Sequence, residues 1–140
     1  MPLRATPMLR VWRSSEREIV RVISVVDDDA SVRLATLDLL NSAGFPCEAF
    51  ASGKEYFCSG HAPQTECLIL DLNMLGMDGL EVQRQVVQSG IGIPIIFITA
   101  FPEDRTREQA LRAGAVCYLA KPYSDDELLA CLERALRQAD

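Results

Sequence analysis

Five side chains of this sequence are of the types that together handle a phosphoryl group: the carboxylates of Asp27, Asp28 and Asp71, the hydroxyl of Thr99 and the ammonium of Lys121. Each stands at or just past the end of a short apolar run. Carboxylates held close together repel one another unless a proton or a cation intervenes, and hard oxygen ligands with room for waters suit magnesium. Lys121 and Thr99 offer a positive charge and a hydrogen-bond donor to an anion beside such an ion, most naturally a phosphoryl group. Phosphoryl transfer asks mainly for positioning and charge stabilisation, so the lack of a catalytic histidine is no objection. Taken singly each residue has an ordinary explanation, since acidic pairs arise by chance and most lysines are solvated; the combination points to chemistry.

The elements that must position these residues alternate along the chain. Apolar runs at Val22–Val26, 46–50, 67–70, 93–98 and 115–120 read as strands, the third ending abruptly at Asp71. Between them lie helical stretches. Residues 31–43 place Val32, Ala35, Leu39 and Ala43 on one face and stop at Gly44, and Ser52 with Glu55 opens a second helix through Cys58 as a capping box. Residues 79–89 carry Leu80, Val82, Val86 and Val87 as apolar positions, with Asp78 as the cap and Gly90 as the stop. Residues 103–113 follow, and a capping box of Ser124 and Glu127 opens the last helix. Strands apolar throughout that alternate with helices imply a doubly wound α/β domain with a parallel sheet covered on both faces. In such sheets ligands bind at the carboxyl ends of the strands, where all five residues fall.

Length and composition set the outer limits. One hundred and forty residues suffice for a single domain with a real core. The formal net charge of -6 argues against a direct grip on a nucleic-acid backbone. Cys47, Cys58, Cys67, Cys117 and Cys131 never form a C-x-x-C pair and read as small buried hydrophobes of a reducing compartment; a zinc site lacks both spacing and histidines, His61 being a lone loop residue. With no apolar run of membrane-spanning length and no signal-peptide hydrophobic region, a cytoplasmic protein is expected. Residues 1–20 carry two prolines and four arginines without a clean period. They read as an extension of uncertain order, with a short helix around Ser14 to Glu18 as one option, ahead of a domain over 21–140.

The motifs V-V-D-D, L-I-L-D-L-N-M, G-M-D-G, F-I-T-A, A-G-A and Y-L-A-K-P, spread from about Arg21 to the end, resemble the receiver domain of two-component response regulators, of the chemotaxis and nitrogen-fixation-regulator type. The resemblance implies a flavodoxin-like (βα)5 fold with strand order 2-1-3-4-5. It implies that Asp71 accepts a phosphoryl group from the phosphohistidine of a sensor histidine kinase or a histidine phosphotransfer protein. Asp28, Asp71 and the backbone carbonyl of Asn73 would bind Mg²⁺ directly and Asp27 through water; Lys121 would pair with the phosphoryl oxygens and Thr99 hydrogen-bond to one. The Lys121–Pro122 bond is expected to be cis. Thr99 and Tyr118 would form the switch, although a half-buried aromatic on an edge strand fits Tyr118 equally well. The signal would leave through the fourth helix, fifth strand and fifth helix to a downstream protein or a second copy.

Two departures from the family pattern stand out. Leu75 occupies the place, four residues after the phosphoacceptor, where the family usually has proline, and Phe101 puts a bulky ring at the mouth of the site. Because the chain stops where the last helix stops, a stand-alone signalling domain that catalyses only its own phosphorylation and dephosphorylation is expected. The alternatives are the receiver part of a DNA-binding regulator whose output domain is absent, and a magnesium-dependent phosphohydrolase of the haloacid-dehalogenase type. The latter wants an Asp where Asn73 stands.

Overall fold

The computed structural model describes residues 11–14 and 17–138. Five strands of this region form one parallel sheet: β1 (Val22–Val26), β2 (Cys47–Phe50), β3 (Thr65–Asp71), β4 (Ile95–Thr99) and β5 (Cys117–Ala120), in the order 2-1-3-4-5. The helices between and after them are α1 (Ala30–Ser42), α2 (Gly53–Ser59), α3 (Gly79–Gln88), α4 (Asp104–Arg112) and α5 (Asp125–Gln138).

Alternation along the strands sorts the core into two layers. Ile23, Val25, Cys67, Ile69, Ile96 and Ile98 face α1 and α5, where they meet Leu40, Leu128 and Leu132. Their neighbours Val26, Leu68, Leu70, Ile95 and Phe97 face the other way, onto Tyr56 of α2, Val82 and Val86 of α3 and Ala110 of α4. A strand flanked by helices on both faces has no solvent side, which explains why these runs are mostly apolar on both faces, with Ser24 a buried exception in β1.

Sequence periodicity misplaces two helix faces. In α1 the buried positions are Thr36 and Leu40, with Val32, Leu39 and Ala43 packed at the margin and Ala35 exposed. Thr36 can face inward because its hydroxyl meets that of Tyr123. In α3 Val87 is exposed while Gln83 is buried, its Nε2 donating to the carbonyl of Ala110 at 3.0 Å. Both times a polar side chain with a satisfied partner takes the inner place. The capping signals hold: Glu55 N donates to Ser52 Oγ, Glu127 N to Ser124 Oγ and Glu81 N to Asp78.

The short helix expected around Ser14 to Glu18 is not formed; Val11–Ser14 and Arg17–Val20 pair as antiparallel strands, with Val11 opposite Val20 and Ser14 opposite Arg17. The β-branched Val11, Ile19 and Val20 favour the extended form. Residues 15 and 16, within the same expectation, lie outside the described residues. The cysteines are all free, and Cys67, Cys117 and Cys131 are buried as expected, but Cys58 is exposed on α2 and Cys47 partly so. His61 is more than a loop residue: its Nδ1 lies 2.5 Å from Glu48 Oε1 and its ring stands edge-on to Phe50. Among the described residues no helix is long and apolar enough to cross a membrane.

Candidate functional site

The register of the sheet assembles the site. Val26 of β1 pairs with Leu70 of β3, so the next residues, Asp27 and Asp71, stand side by side where the two strands end. Asp71 in turn pairs with Ile98 of β4, and Thr99 with Ala120 of β5, which brings Thr99 and Lys121 to the same rim. The Lys121 backbone N–H donates to the carbonyl of Thr99 at 2.8 Å, and the Lys121–Pro122 peptide is cis, as expected.

At this rim a carboxylate oxygen from each of Asp27, Asp28 and Asp71 lies within 4.8 Å of the others. Asp27 is fully buried, Asp71 is 3% exposed and Asp28 faces solvent. Lys121 reaches in with its Nζ 3.2 Å from Asp27 Oδ2 and 3.7 Å from Asp71 Oδ1. Among the described residues one ammonium therefore serves a cluster of three carboxylates, and the charge is not balanced. Burial pushes the Asp71 carboxyl up to about 6, and the neighbouring Asp27 adds to the rise while Lys121 opposes it. Burial by itself would lower the Lys121 ammonium, yet the carboxylates of Asp27 and Asp71 outweigh it and hold the group above its usual value.

An excess of clustered oxygen anions, one of them open to solvent, fits a hard divalent cation; thiol and imidazole ligands, which would favour zinc, do not enter the cluster. An open groove of about 470 Å³ leads to this cluster, and Asp28, Asn73, Met74, Leu75, Phe101 and Glu103 are among its lining residues. Phe101 thus lines the groove that leads to the site, 69% exposed, as does Leu75 at 90%.

The sequence model of the response regulator receiver domain matches residues 23–133 of the chain. This protein belongs to that family. The receiver is 39% identical over 118 residues to the response regulator protein TodT of Pseudomonas putida, an alignment covering 84% of this chain and 52% of TodT. It is 37% identical over 122 residues to nodulation protein W of Bradyrhizobium diazoefficiens, covering 84% of this chain and 54% of the relative. The chain therefore spans about half the length of these curated relatives. A crystal structure of a response regulator receiver protein from Burkholderia phymatum superposes with a TM-score of 0.73 at 41% identity, covering 84% of this chain and 95% of the other.

Within this receiver the expected site residues Asp27, Asp28, Asp71 and Lys121 come together directly, and Thr99 joins them through Asn73, whose side chain accepts from the Thr99 hydroxyl and whose backbone N–H donates to Asp71 Oδ1 at 3.4 Å. Tyr118 lies outside the cluster. Its ring packs against Phe97 with centroids 6.4 Å apart, and its hydroxyl is buried without a hydrogen-bond partner among the described residues.

Three contributors escape sequence reasoning. Asp29 is the N-cap of α1, accepting from the backbone N–H groups of Ser31 and Val32, while its own N–H donates to Asp27 Oδ1 at 2.9 Å. An Asp just ahead of a helical period is the signal that could have separated it from the two acidic residues before it. Arg33, one turn into α1, donates to the carbonyl of Asp27 at 2.7 Å. Asn73, expected to act through its carbonyl, also engages Thr99 with its side chain.

Gly79 allows the close fit between α3 and the end of β3. Its N–H donates to the carbonyl of Leu72 at 3.0 Å, and an added Cβ would lie 2.7 Å from the Asp71 carbonyl oxygen and 2.8 Å from Leu72 Cα.

Proposed function

We propose that this receiver takes a phosphoryl group on Asp71 from the phosphohistidine of a sensor histidine kinase or histidine phosphotransfer protein, with Mg²⁺ as its cofactor. The observation that carries the reading is Asp71 itself: a strand-end carboxylate held against one lysine and two further carboxylates, beside an open groove.

In the transfer an Asp71 carboxylate oxygen attacks phosphorus, the O–P bond forms, the N–P bond of the donor breaks, and the imidazole leaves with that electron pair. The attack needs the ionised carboxylate. With a pKa of about 6, Asp71 is mostly ionised at pH 7 and supplies it without a general base. Asp28, Asp71 and the Asn73 carbonyl would hold Mg²⁺ directly and Asp27 through water, and the bound ion would supply positive charge to offset the carboxylates and the phosphoryl group. Lys121 pairs with phosphoryl oxygens, and its link to Asp27 keeps the ammonium aimed at the site. Thr99 donates its hydroxyl proton to a phosphoryl oxygen. Tyr118, on the adjacent strand, responds to the movement of Thr99 as the second part of the switch. This is chemistry on the protein's own side chain, and no separate substrate is turned over.

The output face comprises α4, β5 and α5, where the exposed Arg105, Arg107, Arg112, Asp125 and Glu133 can pair with a downstream protein or with a second copy. The length of TodT and nodulation protein W supports a second reading, in which these residues are the receiver part of a longer regulator; a relative 36% identical is named DNA-binding transcriptional regulator NtrC, and on that analogy the longer regulator contacts DNA through another domain.

Incubation with acetyl phosphate and Mg²⁺ tests the assignment. Intact-mass analysis should show one added phosphoryl group on the wild type and none on Asp71→Asn; equal labelling of both proteins would rule Asp71 out.

A further inference from the structure

Thr99 has a single hydroxyl proton, and that proton is already in use. The side chain is fully buried, so water is not its partner. Its Oγ1 accepts the backbone N–H of Phe101 at 3.0 Å and donates to Oδ1 of Asn73 at 2.5 Å. The proposed contact between Thr99 and a phosphoryl oxygen needs the same proton. It cannot form while Asn73 holds it, because a hydroxyl donates one hydrogen bond at a time.

The two partners are unequal in a way that lets the contact open. Asn73 is exposed, so its released amide returns to water at little cost, whereas the buried Thr99 must find another acceptor at once. Two weaker contacts hold the same loop in place: Asn73 N–H to Asp71 Oδ1 and Leu75 N–H to Asp28 Oδ2, both at 3.4 Å. The second needs a backbone N–H at Leu75, which proline lacks.

We infer that the Asn73 side chain is a positioning latch that holds the Thr99 hydroxyl in the unphosphorylated arrangement and competes with the phosphoryl group for it. The inference rests on Asp71 as phosphoacceptor and gives the side chain of Asn73 a role distinct from that of its carbonyl. A latch and a merely orienting contact differ in sign. Removing a latch favours phosphoryl capture; removing a residue that only holds Thr99 ready for use weakens it.

The experiment titrates beryllofluoride, an analogue of the phosphoryl group, into the full chain at fixed saturating Mg²⁺ and follows backbone amide resonances. Asn73→Ala should bind about fivefold tighter than wild type, the equivalent of one neutral hydrogen bond no longer in competition. In a Thr99→Ala background the same substitution should change affinity by less than about twofold, because the contested proton is gone. Titration with Mg²⁺ alone fixes the concentration that saturates each protein, so that beryllofluoride binding is compared at equal Mg²⁺ occupancy. Weaker or unchanged beryllofluoride binding by Asn73→Ala overturns the latch, as does an equal gain in the Thr99→Ala background. Failure of wild type itself to bind beryllofluoride would overturn the phosphoacceptor reading and the latch with it.

Discussion

At the C-terminal rim the sheet holds Asp27, Asp28 and Asp71 against the single ammonium of Lys121, whereas near its other end it buries three hydroxyls and a carbonyl around Thr65. Thr65 Oγ1 lies 3.0 Å from the His61 carbonyl, 2.9 Å from Ser24 Oγ and 2.7 Å from Tyr56 Oη. The carbonyl can only accept, so it takes the Thr65 proton, and the Ser24 and Tyr56 hydroxyls donate into the two lone pairs of Thr65. Every proton there has an acceptor. At the rim, by contrast, negative charge exceeds what Lys121 can offset, and the pKa of Asp71 is raised first by its burial and then by the charge of Asp27. The first cluster serves the fold, and the second is left in want of a cation or a proton.

Substitutions should separate the two ends. The largest effect is expected from Thr65→Val, which strands the Ser24 and Tyr56 hydroxyls without their acceptor; it should cost about 3 kcal/mol in urea unfolding, because each buried donor left unsatisfied costs about 1–3 kcal/mol. That loss should be the same with and without Mg²⁺. A loss that Mg²⁺ restores would mean the two ends are not independent.

Gly79→Ala comes next. The new methyl group would press on backbone atoms of Asp71 and Leu72, which cannot rotate away. A destabilisation of about 2 kcal/mol is expected, in the range of overpacking elsewhere in protein cores. A neutral outcome would show that the junction of α3 with β3 is looser than the contacts indicate.

Mg²⁺ should have the smallest of these effects, and only at the rim. At ten times its dissociation constant one bound ion stabilises the fold by about 1.4 kcal/mol through mass action. Thermal melts should show the shift in wild type and in Thr65→Val, and much less of it in Asp28→Ala. Equal shifts in all three would place the ion elsewhere.

What the sequence reveals follows the same division. Asp27, Asp28, Asp71, Thr99 and Lys121 are legible because each ends an apolar run, and parallel strands bring their ends to one rim whatever the details of packing. The order 2-1-3-4-5 and the two helical layers follow from the same alternation together with the family resemblance. The Thr65 cluster is not legible. Ser24 and Thr65 are 41 residues apart and meet only through the register of β1 and β3, and in sequence each looks like a polar interruption. Thr36 and Gln83 mislead for a related reason, since periodicity assigns polar residues to the surface and cannot see the Tyr123 hydroxyl or the Ala110 carbonyl waiting inside. The role of the Asn73 side chain is hidden because it depends on two loops at the ends of neighbouring strands.

The claim that the rim disfavours an ionised Asp71, first by burial and then by the charge of Asp27, is tested most directly by comparing the unfolding free energy of wild type and Asp71→Asn from pH 4 to pH 8 without divalent cations. The unfolded Asp71 carboxyl titrates near 3.8 and the folded one near 6. Between those values the folded state therefore holds more protons, and wild-type stability falls as pH rises through the window. The amide that replaces the carboxyl in Asp71→Asn does not titrate. The two proteins should be about equally stable near pH 4, and the variant should become more stable by roughly 3 kcal/mol above pH 6, the equivalent of that displacement in pKa. Added Mg²⁺ should narrow the gap. A difference that stays flat with pH, or a variant less stable than wild type at pH 8, would contradict the account.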